Sequence, residues 1–127
     1  GNPSPTSRPF SNMRFGHMKN LWIKNVEIKN NYNGHHVEIG GVKGITIEDC
    51  DFHGYMGTFQ KEAIQLDTIS NSDVFPAYEP FDDTPCDNAV IKNNKFHDLI
   101  RGLGSHSACL GVYYTNTLIH YIKRQKV

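Results

Sequence analysis

The carboxylates of Glu38 and Asp67 lie in two short runs, His36-Val37-Glu38-Ile39 and Ala63-Ile64-Gln65-Leu66-Asp67, that share one apolar-polar alternation. If these runs are neighbouring strands with Val37, Ile39, Ile64 and Leu66 facing inward, then His36, Glu38, Gln65 and Asp67 face outward. Glu38 and Asp67 are then two register positions apart on adjacent strands, a diagonal of roughly 7 Å between side-chain bases. Hydrolysis of a glycosidic bond uses two carboxyl groups roughly 5 to 9.5 Å apart, one to protonate the leaving oxygen and one to attack or to activate water. Glu62 is a third carboxylate at the edge of the strip, and its parity puts it near a bend or partly inward. Elimination next to a uronate would instead need a cation to neutralise the acid and a base to take the neighbouring proton. Arg101 with His35, His36 or His106 are the candidates for that chemistry.

Other chemistries find less support. The seven histidines include His35-His36 and Ser105-His106-Ser107, but adjacent residues on a strand point to opposite faces and do not converge on one metal. No metal ligand is assigned on this reading. No G-x-S-x-G elbow is present for a serine nucleophile. Cys50, Cys86 and Cys109 are odd in number and lack metal-type spacing, so they form neither a disulfide framework nor a zinc site. Cys50 reads as a buried small hydrophobe.

The elements that position these groups follow from an internal repeat. Lys19-Asn20-Leu21-Trp22-Ile23-Lys24-Asn25-Val26-Glu27-Ile28 matches Lys43-Gly44-Ile45-Thr46-Ile47-Glu48-Asp49-Cys50-Asp51-Phe52 at an offset of 24 residues. A third copy, Asp87 to Phe96, follows 44 residues later, and a weaker fourth begins at Asn116-Thr117-Leu118-Ile119. Period-two alternation marks strands with one buried face, and the two-residue step between them is too short for a helix. Stacked repeats put like residues in columns: Val26, Cys50 and Asn94; Ile28, Phe52 and Phe96; and a bend column of Asn25, Asp49 and Asn93, where Asn or Asp tolerates the left-handed conformation. A third strand per repeat is expected at His36–Ile39, Ala63–Leu66 and Gly102–Ser105. Aligning these gives three further columns: His35, Glu62 and Arg101; Glu38, Gln65 and Gly104; Gly40, Asp67 and His106.

Three short strands in roughly 22 to 28 residues is the arithmetic of a β-solenoid turn. From Leu21 to Ile119 the pattern resembles the pectate-lyase-like superfamily of right-handed parallel β-helices. The resemblance implies an all-β right-handed parallel β-helix of about four turns, whose relatives include polysaccharide lyases, glycoside hydrolases, epimerases and phage tailspikes. It also implies an extended polysaccharide as the partner and a secreted or cell-surface location. Lyases of that superfamily gather several aspartates for calcium; here only Asp67 stands on the face, with Asp82 and Asp83 available from a loop, so the expected cofactor is none, with calcium the open alternative. An antiparallel sandwich would need hairpin turns, and the sequence offers one Asn-Gly pair, Asn33-Gly34.

The organisation expected is a leader and N-terminal edge over 1–18, then β-helix repeats over 19–127 with an inserted loop at 70–85. That loop carries Pro76, Pro80 and Pro85 and the aromatics Phe75, Tyr78 and Phe81, which could wall a sugar groove or simply cover the sheet below. Beyond Ile119 the pattern stops at Tyr121, leaving an open strand edge that invites pairing with another chain. The 127 residues carry thirteen basic and thirteen acidic groups without blocks of either sign, which argues against nucleic-acid binding, and no apolar run is long enough to span a bilayer. The function that the resemblance implies is carbohydrate-directed, with glycoside hydrolysis by a carboxylate pair the first expectation. Glu38 and Asp67, with Glu62, are the catalytic candidates, and His35, His36, Gln65, Arg101, His106 and Tyr78 are the candidate substrate contacts. A polysaccharide lyase or a noncatalytic glycan-binding module of a surface or phage protein is the alternative.

Overall fold

The structure, a computed structural model, describes residues 11–31, 34–57, 62–73, 75–101, 110–112 and 119–123. Every regular element among them is a strand: β1 (Met13–Lys24), β2 (Glu27–Asn31), β3 (Val37–Glu48), β4 (Asp51–Gly57), β5 (Ile64–Asp67), β6 (Asp87–Lys92), β7 (Lys95–Arg101), β8 (Leu110–Val112) and β9 (Ile119–Lys123). They form two sheets. One has the order β8-β5-β3-β6-β9 with β1 also on β3, and the other has the order β2-β4-β7. All pairings among the described residues are parallel, which removes the antiparallel sandwich.

The repeat offset is the register of the sheets. Leu21 pairs with Ile45 and Ile45 with Ala89, while Ile28 pairs with Phe52 and Phe52 with Phe96. The apolar members of these columns are the core: Leu21, Ile23, Ile45, Ile47, Ala89 and Ile91 from one sheet and Ile28, Phe52 and Phe96 from the other, all buried. Phe52 and Phe96 stack with ring centroids 5.1 Å apart and planes 10° from parallel, an arrangement that adds to the burial of two large rings.

The bends between strands are set by backbone conformation. Asn25, Asp49 and Asn93 have φ of 56°, 56° and 57°, the left-handed region that Asn, Asp and Gly enter most easily. Two more columns do the same where the repeat did not reveal it: Asn20, Gly44 and Asn88 (59°, 83°, 61°), and Asn30, Gly54 and Asp98 (61°, 63°, 56°). A Cβ on Gly54 would stand 2.5 Å from Asn30 Oδ1 and 2.9 Å from its backbone N, so this corner column needs a glycine beneath the asparagine. Directly inside the first bend column, Asn94 is fully buried; its Oδ1 accepts from Cys50 N (3.0 Å) and its Nδ2 donates to the Ile47 carbonyl (3.1 Å).

The loop enters in the middle of what is elsewhere one strand. β5 lies along Val37–Gly40 and β6 along Lys43–Glu48, the two halves of β3. The intervening chain leaves and returns through Ile69, whose N bonds Thr84 O and whose O accepts from Asp83 N. Two strand expectations are revised. β5 is followed in its sheet by Leu110–Val112, with Ile64 paired to Leu110, so the offset there is 46 residues and Gly111, not Gly104, neighbours Gln65. The chain also does not abandon the pattern at Tyr121: β9 runs to Lys123, paired to β6 across a register shift between Ala89 and Val90. Gly102–Ser105, residues 1–10, Cys109 and Asn116–Leu118 lie outside the described residues.

Candidate functional site

Register brings part of the expected strip together. Arg14, Glu38, Gln65 and Gly111 form one column across β1, β3, β5 and β8, and Gly16, Gly40 and Asp67 form the column beside it. Glu38 and Asp67 therefore do occupy adjacent strands two positions out of step. Glu38 is not open, however. It is 5% exposed, and its Oε2 accepts from Arg14 Nε (3.1 Å), Arg14 NH2 (3.0 Å) and Ser11 Oγ (2.7 Å). Both nitrogens of Arg14 thus bond a single carboxylate oxygen, a charge-assisted contact shielded from water.

Asp67 is half-buried and accepts from Thr68 N at 2.7 Å. Burial, reinforced by the charges of Glu38 and Asp83 and opposed by the Thr68 amide, pushes its carboxyl above the usual range. The two carboxyl groups consequently stand in unlike surroundings, one held against a guanidinium and one desolvated.

The loop covers the sheet more than it walls a groove. Phe75 is fully buried, and a Cβ on Gly40 would meet its Cζ at 2.6 Å, so the ring rests on the glycine itself. Tyr78 sits likewise on Gly16, 2.6 Å from the Cβ position, and its hydroxyl donates to the Arg14 carbonyl at 2.9 Å. The two rings meet edge to face, centroids 6.1 Å apart. Tyr78, which is half-buried, is the loop aromatic that borders the Arg14-Glu38 column. Beside the strip, at Gly41 and Thr84, an open depression is lined by His17, Met18, Lys19 and Lys43.

The remaining candidates lie elsewhere. His36 does not face outward with Glu38: β3 begins at Val37, and the bend before it breaks the alternation on which that parity rested. Its ring is fully buried 6.0 Å from that of Phe52, and desolvation, with the charge of His53 next, lowers its pKa to about 4. His35 and Glu62 are neighbours as expected, but both are buried; His35 Nδ1 lies 2.7 Å from the Glu62 carbonyl oxygen, 3.2 Å from its N and 3.7 Å from its carboxylate. The pair ties β3 to β5 and does not line the outer face. Arg101 ends β7 in the second sheet, paired with Gly57 and not with Glu62, because the turn that carries it is longer than the alignment assumed. His106 lies outside the described residues.

Asp82 and Asp83 are taken up by the loop. Asp82 accepts from both N and Oγ1 of Thr84, and Asp83 from Thr68 Oγ1 at 3.4 Å. They do not join Asp67 as an oxygen site for calcium among the described residues, where the one group of three or more potential ligands is Asp51, His53 and His97 on the second sheet. Alignment had put Asp51 beside a known column, but the adjacency of His53 and His97 went unnoticed, although their common offset from Phe52 and Phe96 reveals it. Arg14 was missed because it precedes the first recognisable repeat. Cys50 and Cys86 are buried thiols, each pushed up by burial. No helix among the described residues is long and apolar enough to cross a membrane.

The fold and these clusters define an all-β protein of parallel strands with polar columns on its outer faces. No protein-family model matches the chain, and no solved structure matches it. Among curated proteins it is similar to "Plasmin and fibronectin-binding protein A" of Streptococcus pneumoniae (strain ATCC BAA-255 / R6), 28% identical over 105 residues that cover 72% of this chain. The chain spans 14% of that protein's length.

Proposed function

We propose that the chain is a stretch of right-handed parallel β-helix of the pectate-lyase-like kind, carried on a secreted or surface protein, and that its first sheet binds an extended polysaccharide. The observation that carries the reading is the strip itself. Arg14, Gln65 and Asp67 stand on strands of one sheet with Tyr78 of the loop beside them, next to a depression bordered by His17, Lys19 and Lys43 that suits the carboxylate of an acidic sugar. Polar side chains on successive strands about 4.8 Å apart offer a polymer contacts at a regular spacing. The repeat of left-handed corners at one register supports the coil, and the pneumococcal relative supports the surface location. That relative's name records binding of plasmin and fibronectin, which makes an extracellular protein the competing ligand class.

Binding is favoured over hydrolysis because Glu38 is shielded and already engaged by Arg14 and Ser11. A second reading, glycoside hydrolysis, rests on the unlike surroundings of the carboxyl pair: Asp67 would hold the proton and deliver it, and Glu38 would serve as base or nucleophile. The elimination reading loses Arg101 from the strip and would need Arg14 as its cation.

The test is incubation of the purified chain with neutral and uronic-acid polysaccharides, scored for retention on immobilised glycan, for new reducing ends and for unsaturated products. Retention without new ends is expected, and it should weaken in Asp67→Asn and Lys43→Ala. New reducing ends that vanish in Glu38→Gln and Asp67→Asn would establish the second reading. Retention on fibronectin or plasmin with none on any glycan would overturn both.

A further inference from the structure

We infer that Asp51, His53 and His97, on the outer face of the second sheet, form a binding site for a divalent transition-metal ion of the zinc class. The site is independent of the polysaccharide reading and lies on the other sheet.

Its geometry follows from register. Asp51 and His53 are alternate residues of β4 and so share a face, and His97 of β7 is paired with His53. The two imidazoles stack with centroids 4.7 Å apart and planes 14° from parallel. One ligand atom from each of the three residues lies within 4.8 Å of the others. An ion about 2.0–2.2 Å from each holds its ligand atoms about 3.4 Å apart, so the 2.7 Å contact of Asp51 with His97 must open while the longer separations close, a rearrangement that side-chain rotation on an open sheet face supplies.

A second observation points to a cation between these groups. His97 has a carboxylate at each nitrogen: Asp98 Oδ2 lies 2.9 Å from Nδ1 and Asp51 Oδ1 lies 2.7 Å from Nε2. A neutral imidazole donates from one nitrogen and accepts at the other. One of the two contacts therefore sets a ring lone pair against carboxylate lone pairs unless the ring gains a proton or a metal ion intervenes. With Nδ1–H donated to Asp98, Nε2 is free to ligate on the Asp51 side. This is the carboxylate–histidine–metal relay in which an outer carboxylate fixes the tautomer of a ligating histidine.

The surroundings fit a divalent charge. Glu27 Oε2 is 3.0 Å from His53 Nε2 and is the nearest further oxygen. The cations facing the group are Lys29, in the His53 column and 3.7 Å from Glu27, and Lys95, in the Asp51 column. Five carboxylates or imidazoles, Glu27, Asp51, His53, His97 and Asp98, thus gather near two lysines across three strands. Two imidazoles with one carboxylate select a zinc-class ion over calcium, which takes oxygen ligands. Such an ion would clip β4 to β7 and leave coordination positions open to solvent.

The test is calorimetric titration of the chelator-stripped 127-residue chain with zinc chloride alone, with calcium chloride as comparison. One zinc ion per chain is expected, with no matching calcium isotherm. His53→Gln and His97→Gln together should abolish the isotherm, and Asp98→Asn, which touches only the relay, should weaken it about tenfold. His17→Gln should leave it unchanged. Circular dichroism checks that each variant keeps the strand spectrum of the parent. Failure of the parent to bind zinc at about millimolar concentration, or equal binding by the double variant, would overturn the assignment.

Discussion

Asn93 and Asn94 are adjacent, chemically identical and placed by the fold in opposite predicaments, so they make a sharp test of what holds the bends. Asn94 is fully buried and satisfies two backbone groups, Cys50 N and the Ile47 carbonyl. Asn94→Ala removes both partners at once and leaves a donor and an acceptor where water does not reach. Each orphaned group costs about 1–3 kcal/mol, so the expected loss is about 2–6 kcal/mol. That is a large share of the roughly 5–15 kcal/mol that a domain of this size commands. Asn93 is exposed with φ 57°, and its side chain is there for its tolerance of that conformation. Asn93→Gly should change stability by no more than about 0.5 kcal/mol, whereas Asn93→Ala, with a Cβ forced into the left-handed region, should cost about 1 kcal/mol. Urea unfolding followed by far-ultraviolet dichroism measures all three, read as midpoint shifts at constant slope. A loss under about 1 kcal/mol for Asn94→Ala, or a loss for Asn93→Gly equal to it, would refute the account of the bend.

Three further outcomes are expected. His36 is neutral in the folded chain down to about pH 4 but titrates from 6.5 when unfolded; its contribution is complete above pH 6.5 and is lost as pH falls toward 4. The parent should therefore lose about 3 kcal/mol more than His36→Leu across that window. Equal slopes in the two pH profiles would refute this, and the raised carboxyl of Asp67, which favours the fold as pH falls, is common to both. Gly40→Ala should destabilise by about 1–3 kcal/mol because its Cβ enters the Phe75 ring, and pairing it with Phe75→Ala should recover part of the loss in a double-mutant cycle; simple additivity would mean that the ring does not rest on the glycine. Arg14→Ala should cost about 1.5–3 kcal/mol, since it leaves a shielded carboxylate short of its cation, and Arg14→Ala/Glu38→Gln should cost less than the single change. A double variant as unstable as the single one would count against that ion pair.

The core and the corners were legible because both obey the repeat. Ile28, Phe52 and Phe96 could be aligned from sequence, and so could Asn25, Asp49 and Asn93, since an apolar residue and a left-handed residue in every repeat leave marks that no neighbour can mask. The candidate strip was legible only in register. That Glu38 and Asp67 would be diagonal neighbours followed from alternation, but the capping of Glu38 came from Arg14 and Ser11, residues ahead of the first repeat. His36 was misplaced because alternation was carried past the start of β3 into a bend, where it has no meaning. Arg101 was misplaced because β7 runs on to Arg101 and the strand beside β5 begins only at Leu110, and a register argument fails wherever the spacing between strands changes. The histidine pair on the second sheet was passed over because attention to adjacent histidines in sequence hid the pair adjacent in space.

The two independent ladders that tie β5 and β6 to the halves of β3 have an evolutionary implication. The chain between them takes no part in the strand ladders, so it can be lengthened without moving any column by one residue, provided that Phe75 and Tyr78 keep their seats on Gly40 and Gly16. Variation in that segment is insulated from the scaffold. Related chains should therefore differ most at the exposed positions of that segment, such as Asn71 to Asp73, and a peptide inserted there would be displayed on an unaltered frame.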